Sequence, residues 1–292
     1  MKDGLLIGLA AITVLFVSVW LRAILNRRKD EPSIRLQPSP FEIFLGFATN
    51  FLDTLGIGSF ATTSSMFKLK KLIADEEIPG TLNVGHCLPS IVEASIFISI
   101  VQVDVTTLVS MIGASIAGAW FGAGVVSRMP RLLIQISLGL ALLVAACLML
   151  ATQFHYLPAG GEKIGLQSTE LIIAIVGNFI LGALMTLGIG LFAPCMIMVS
   201  LLGMNPKAAF PIMMGSCAFL MAVGSIRFAA TGRYSLTTAL GLTLGGIPGV
   251  LIAAFLVKSL PLDAVRWLVI VVVVYTSAML LRSAAISKEK AT

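Results

Sequence analysis

The sequence predicts an all-α polytopic membrane protein of about seven transmembrane helices plus two re-entrant helical hairpins, arranged as inverted repeats. Three observations lead there: a composition too apolar for water, long apolar runs parted by short polar breaks, and a Leu-Gly-Ile-Gly break that occurs twice. Hydrophobic residues make up 58% of the 292 and charged residues 12%, against about 25% charged in soluble domains. Lipid is the solvent that such a chain fits, and lipid requires helices or a closed barrel. The apolar runs lie at roughly 4–25, 41–66, 80–101, 105–127, 132–152, 168–202, 208–229, 235–257 and 262–283. They are too long for barrel strands and match helices.

The first run, Gly4 to Leu25, exceeds a signal-peptide core, lacks a small-x-small cleavage site, and is flanked by Arg22, Arg27, Arg28 and Lys29. It reads as a retained membrane helix with a cytoplasmic basic flank. The net charge of +6 comes mostly from short loops between apolar runs, so nucleic acid is not expected as a partner. Cys87, Cys147, Cys195 and Cys217 lie in apolar segments without metal-ligand or disulfide spacing, and no metal is expected. Hydrolase elbow, phosphate loop, HExxH and dinucleotide fingerprints are missing from the sequence, so neither an enzyme nor a cofactor is expected.

A repeat organises the chain. Thr54–Phe60 (Thr-Leu-Gly-Ile-Gly-Ser-Phe) matches Thr186–Phe192 (Thr-Leu-Gly-Ile-Gly-Leu-Phe) at an offset of 132. Gly85-His86-Cys87 matches Gly215-Ser216-Cys217 at 130. Thr106-Thr107-Leu108 matches Thr237-Thr238-Ala239, Gly118 matches Gly249 and Pro130 matches Pro261, all at 131. Five ordered matches at a nearly constant offset indicate duplication, as in many secondary transporters. The expected divisions are an N-terminal helix and basic linker at 1–40, repeat 1 at 41–152, an inter-repeat loop at 153–167, and repeat 2 with the C-terminal tail at 168–292.

Charge placement decides between parallel and inverted halves. If 41–66 and 168–202 both cross the bilayer, Lys and Arg divide 11 to 9 between the two sides; if both enter and return, they divide 15 to 5. The second split obeys the positive-inside rule. Arms of about a dozen residues, roughly 18 Å of helix, reach the bilayer centre. Three full spans per repeat then make the halves inverted, with the N-terminus outside and the C-terminus cytoplasmic in a bacterial inner membrane.

The two breaks are the expected site. Irregular backbone at membrane depth is tolerated where it is buried in protein or lines a watery cavity. The helix that follows each break starts with unpartnered amides and about half a positive charge, a setting for an anion. Gly56, Ile57, Gly58, Ser59, Thr62 and Thr63 form the first candidate set; Gly188, Ile189, Gly190, Pro194 and Cys195 form the second. Asn83, His86 and Cys87 follow one hairpin, and Gly215, Ser216 and Cys217 the other. The bland alternative for the glycines is close helix packing, and for His86 a structural hydrogen bond. Asp53 and Glu93 are ionisable residues inside apolar segments, which makes them candidates for proton coupling; neither has an acidic counterpart in the other half.

The Gly-Ile-Gly turns at 56–58 and 188–190, with Phe-Ala-Pro-Cys at 192–195 and Leu-Leu-Gly-Met-Asn-Pro-Lys-Ala-Ala at 201–209, resemble the sulfite exporter TauE/SafE family, also grouped as toluene sulfonate uptake permeases. The resemblance covers about 41–283. It departs from the family pattern at Ser59 and Leu191, where a third glycine is common, and at Thr62, which stands where Pro194 does in the second half. It implies transport of sulfite or organosulfonates across a bacterial plasma membrane. The expected function is therefore a secondary transporter of small sulfur-containing anions, exporting by alternating access. The alternatives are a channel or uptake permease for another solute, or a non-transporting receptor or assembly protein. Expected partners are the anion, membrane lipid and, as an open point, further copies of the chain.

Overall fold

The computed structural model describes residues 2–30, 36–126, 131–154, 156, 161–185 and 191–289. Eleven α-helices account for most of them: α1 Lys2–Asp30, α2 Pro40–Thr54, α3 Ser59–Lys70, α4 Ile78–Ile100, α5 Val105–Val126, α6 Arg131–Gln153, α7 Ser168–Met185, α8 Phe192–Leu201, α9 Ala209–Thr231, α10 Leu236–Ser259 and α11 Leu262–Glu289. Among the described residues the β structure is limited to one isolated bridge, Lys163 to Met204. The protein is an all-α polytopic membrane protein. Among the described residues six helical stretches, five within α1, α4, α7, α10 and α11 and one from Pro206 through α9, are long and apolar enough to cross a bilayer.

Polarity is turned inside out relative to a soluble protein. Phe44, Trp120, Phe121, Ile172, Val176, Leu251, Ile252 and Phe255 are exposed, while Thr49, Asn50, Asp53, His86, Glu93, Asn178 and Ser216 are buried. Lipid accepts the first group, and the second is withdrawn into the protein interior.

Helix lengths follow local signals. Ser39 caps α2 through the Glu42 amide, and Glu42 returns the bond to the Ser39 amide at 2.7 Å, a capping box with Pro40 at the first position. α2 and α3 have 15 and 12 residues, about 22 and 18 Å at 1.5 Å per residue. Both fall short of a hydrocarbon core of about 30 Å. The other pair is unequal: α7 has 18 residues and α8 has 10. α7 thus outgrows the expected dozen-residue arm, because no breaker interrupts Leu171–Met185; its Gly177 and Gly182 sit at close contacts instead.

The chain forms two compact units, each drawing on both halves of the sequence: Met1–Ile100 with Met214–Lys258, and Val101–Met213 with Ser259–Thr292. In the first unit, Leu45, Phe67, Ile78, Leu82 and Leu242 make a core with Phe41, Phe60 and Met66 packed on it. α10 lies close on α2: a Cβ on Gly249 would overlap the Phe47 carbonyl, one on Gly245 the Ile43 carbonyl, and one on Gly46 would stand 2.5 Å from the Leu242 oxygen. Glu42 accepts from the Thr238 hydroxyl at 2.6 Å, and Thr243 donates to the Gly85 carbonyl at 2.8 Å. Arg27 of α1 donates to the Gly232 carbonyl and lies over the Tyr234 ring, 4.8 Å from its centroid.

The second unit contains the matching contact. A Cβ on Gly118 of α5 would overlap the Phe179 carbonyl of α7, and one on Gly182 the Ser115 carbonyl. Gly118 stands 131 residues before Gly249, and Phe179 stands 132 after Phe47. Asn178 donates to the Met111 carbonyl at 2.6 Å, and these positions match Gly46 and Leu242. The same helix pair therefore recurs within each unit, one partner taken from each half of the sequence. α6 packs on α11 through Gly139, whose carbonyl accepts from Ser277 at 2.7 Å. Lys207 donates to the Leu260 carbonyl at 2.7 Å, so its ammonium tethers a loop.

Candidate functional site

The first break is a helix stop followed at once by a helix start. The Gly56 amide donates to the Asp53 carbonyl and the Ile57 amide to the Leu52 carbonyl, at 2.7 and 3.1 Å. This paired pattern closes a helix through a left-handed residue, here Gly56 with φ 93°. Gly58 repeats the left-handed conformation, φ 87°, and α3 begins at Ser59. An added Cβ at Gly58 meets nothing within 4 Å. Conformation and not crowding therefore requires glycine there.

That difference is measurable. Gly58→Ala is expected to cost about 1–2 kcal/mol, the penalty for a side chain in the left-handed region. Gly113→Ala, on α5 and equally open, is expected to gain about 0.5–1 kcal/mol from reduced unfolded-chain freedom. Thermal unfolding of both variants in detergent checks the signs.

Asp53 spans the break. Its Oδ1 accepts from the Ser59 amide at 2.8 Å and its Oδ2 from the Ser59 hydroxyl at 3.0 Å. The first amide of α3, expected to be bare, is held by the chain's own carboxylate. The other hydroxyls of the first set also donate internally or face a ring nitrogen. Thr62 donates to the Ser59 carbonyl at 2.8 Å, and Thr63 Oγ1 lies 3.0 Å from His86 Nε2.

His86 is buried between α2 and α3. Its Nδ1 lies 3.0 Å from Asn50 Oδ1, and Asn50 Nδ2 donates to the Gly46 carbonyl at 2.7 Å. With Asn50 so oriented, Nδ1 carries the proton and donates to Oδ1, while Nε2 accepts from Thr63. The run Thr63–His86–Asn50–Gly46 ties α3, α4 and α2 together.

Glu93, on α4, is 1% exposed and Asp53 4%. Asp53 is the charged neighbour of Glu93, and the Thr54 hydroxyl donates to the Asn50 carbonyl at 2.9 Å. Glu93 Oε1 has no hydrogen-bond partner among the described residues.

The first unit thus brings together Asp53, Gly56, Ile57, Gly58, Ser59, Thr62, Thr63, His86 and Glu93. Asn83 and Cys87 face α9 in the same unit: the Asn83 carbonyl accepts from Ser225 at 2.8 Å, and Ser225 also neighbours the Cys87 thiol. Gly215, Ser216 and Cys217 are buried on α9, in the part assigned to this unit. Pro194 and Cys195 are buried on α8 in the second unit. There α8 starts after Leu191 without a side-chain cap, and Pro194 falls in its first turn. Gly188, Ile189 and Gly190 lie outside the described residues. Among the described residues no His, Cys, Asp and Glu cluster could hold a metal ion.

Asn50 and Thr54 belong to this assembly and were not among the expected residues. Asn50, Asp53 and Thr54 stand at i, i+3 and i+4, a polar stripe on a largely apolar helix, and that spacing is the signal that marks them.

No curated protein and no solved structure matches the chain. A model of the sulfite exporter TauE/SafE family matches residues 2–149 and 43–280. Those matches cover most of the polytopic helical chain just described, including both candidate breaks, and the chain belongs to the sulfite exporter TauE/SafE family.

Proposed function

We propose that the protein is a secondary transporter of small sulfur-containing anions, sulfite or an organosulfonate, exporting them by alternating access. The observation that carries this reading is the α2–α3 break. Two helices too short to span meet at a pair of left-handed glycines, directly before the first amide of α3. Such a terminus attracts an oxyanion without a buried lysine or arginine. Family membership supports the substrate class. In this reading 41–152 and 168–292 are inverted repeats, each opened by a re-entrant hairpin. The recurrence of the Gly118–Phe179 contact as Gly249–Phe47 supports equivalent roles for the two halves. The N-terminus then faces outward and the C-terminus the cytoplasm of a bacterial inner membrane.

Purified protein in liposomes should give saturable flux of radiolabelled sulfite, with counterflow against unlabelled sulfite or an organosulfonate. Absence of flux for all of these overturns the reading. Single cysteines at Lys70 and Lys207 should label from the cytoplasmic and outer sides respectively.

A further inference from the structure

We propose that Asp53 is a tethered competitor for the transported anion at the first amide of α3, and that a proton taken up by the Asp53–Glu93 pair releases it. This inference rests on the anion-transport reading above. Four observations support it.

Asp53 uses both donors of Ser59, the amide at 2.8 Å and the hydroxyl at 3.0 Å. Two oxygens of a sulfite or sulfonate group would take the same two donors. The helix end is therefore occupied by a group of the substrate's own charge and chemistry. Beside it, a Cβ added at Gly58 would meet nothing within 4 Å beyond its two chain neighbours. Glu93 supplies a second carboxyl next to Asp53, and its buried Oε1 has no partner among the described residues. Two carboxyls sharing one buried place resist ionising together, and a proton on the pair satisfies the unpartnered oxygen. Finally, the device belongs to one half: Met185 and Leu191 stand at the positions matching Asp53 and Ser59.

The surrounding titratable groups are engaged elsewhere. On α2, Glu42 binds Ser39 and Thr238 at the far end. On α3, Lys70 lies over Phe41. On α4, His86 bonds Thr63 and Asn50, and Cys87 neighbours Ser225. On α1, Arg27 binds the Gly232 turn; on α9 and α10, Arg227 and Lys258 are exposed. The described ion pairs, Lys163–Glu170 and Arg266–Asp263, involve neither carboxyl.

The exchange conserves charge. Glu93 holds one proton at rest; a second, taken from the aqueous side, joins Asp53, and neutral Asp53 gives up its charge-assisted hold on Ser59. The anion then accepts the Ser59 amide and hydroxyl. One proton enters with one anion, and both leave together.

The test uses full-length protein in detergent and methanesulfonate, a probe that stays ionised throughout. Calorimetric titration in two buffers of different ionisation heat should count about one proton taken up per anion. The affinity should then fall about tenfold per pH unit on the alkaline side. Asp53→Asn should take up no proton and bind with a flat pH profile. An Asp53 that merely caps α3 would leave the variant weaker at every pH with the slope unchanged, and that result overturns the proposal. Infrared difference spectra across the same pH step give a second readout. The resting protonated-carboxyl band of the wild type should vanish in Glu93→Gln and remain in Asp53→Asn; its persistence in Glu93→Gln overturns the proposal. If the wild type binds neither methanesulfonate nor sulfite, the transport reading falls instead, and the infrared band alone decides whether the pair holds a proton.

Discussion

Replacing Gly118 or Gly249 with alanine should each cost about 3 kcal/mol, at the upper end of what overpacking exacts. The added Cβ would overlap a main-chain carbonyl oxygen, that of Phe179 or Phe47. No rotamer change can clear a backbone atom, so one helix must shift along its whole contact. Small residues at such crossings let helices approach until backbone meets backbone, which replaces the hydrophobic driving force that lipid does not supply. The loss should appear as a lower melting temperature in detergent for both variants. Gly113→Ala, which meets nothing within 4 Å, serves as the control that propensity alone is not responsible. Equal losses at both sites would match their equivalent placement in the two halves.

Asn50→Leu should cost about 2 kcal/mol. Asparagine and leucine are close in size, so the change is chemical more than steric. It removes the acceptor 3.0 Å from His86 Nδ1 and leaves a buried N–H unpaired, a penalty of about 1–3 kcal/mol. In a His86→Leu background the same substitution should cost at least about 1 kcal/mol less, because the orphaned group is gone. Chemical denaturation of the four proteins closes this cycle. If the costs simply add, the Thr63–His86–Asn50 run does not act as a unit.

Helix boundaries near the break were legible because local chemistry sets them. Ser39, Pro40 and Glu42 announce the start of α2, and Gly56 and Gly58 announce its stop and the turn beyond. The membrane setting was equally plain from apolar runs. The pairing of distant parts was not. Asn50 and His86 are 36 residues apart, and nothing in either neighbourhood names the other. Asp53 was conspicuous as a buried acid, yet its hold on Ser59 depends on a turn that brings residue i+6 back over the helix end. The 18 residues of α7 exceed the expected dozen-residue arm, and its glycines serve contacts with Ser115 and Met198.

The Gly249–Phe47 contact also sets a schedule. A ribosome finishes α2 about 200 residues before it makes Gly249. At roughly 5–20 residues per second, that interval is on the order of 10–40 s. The Gly118–Phe179 contact closes after only about 60 residues of synthesis. During the longer wait α2 has no α10 beside it, and Glu42 has no Thr238. Until α10 is made, the nascent chain carries Glu42 without the hydroxyl that donates to it in the folded protein.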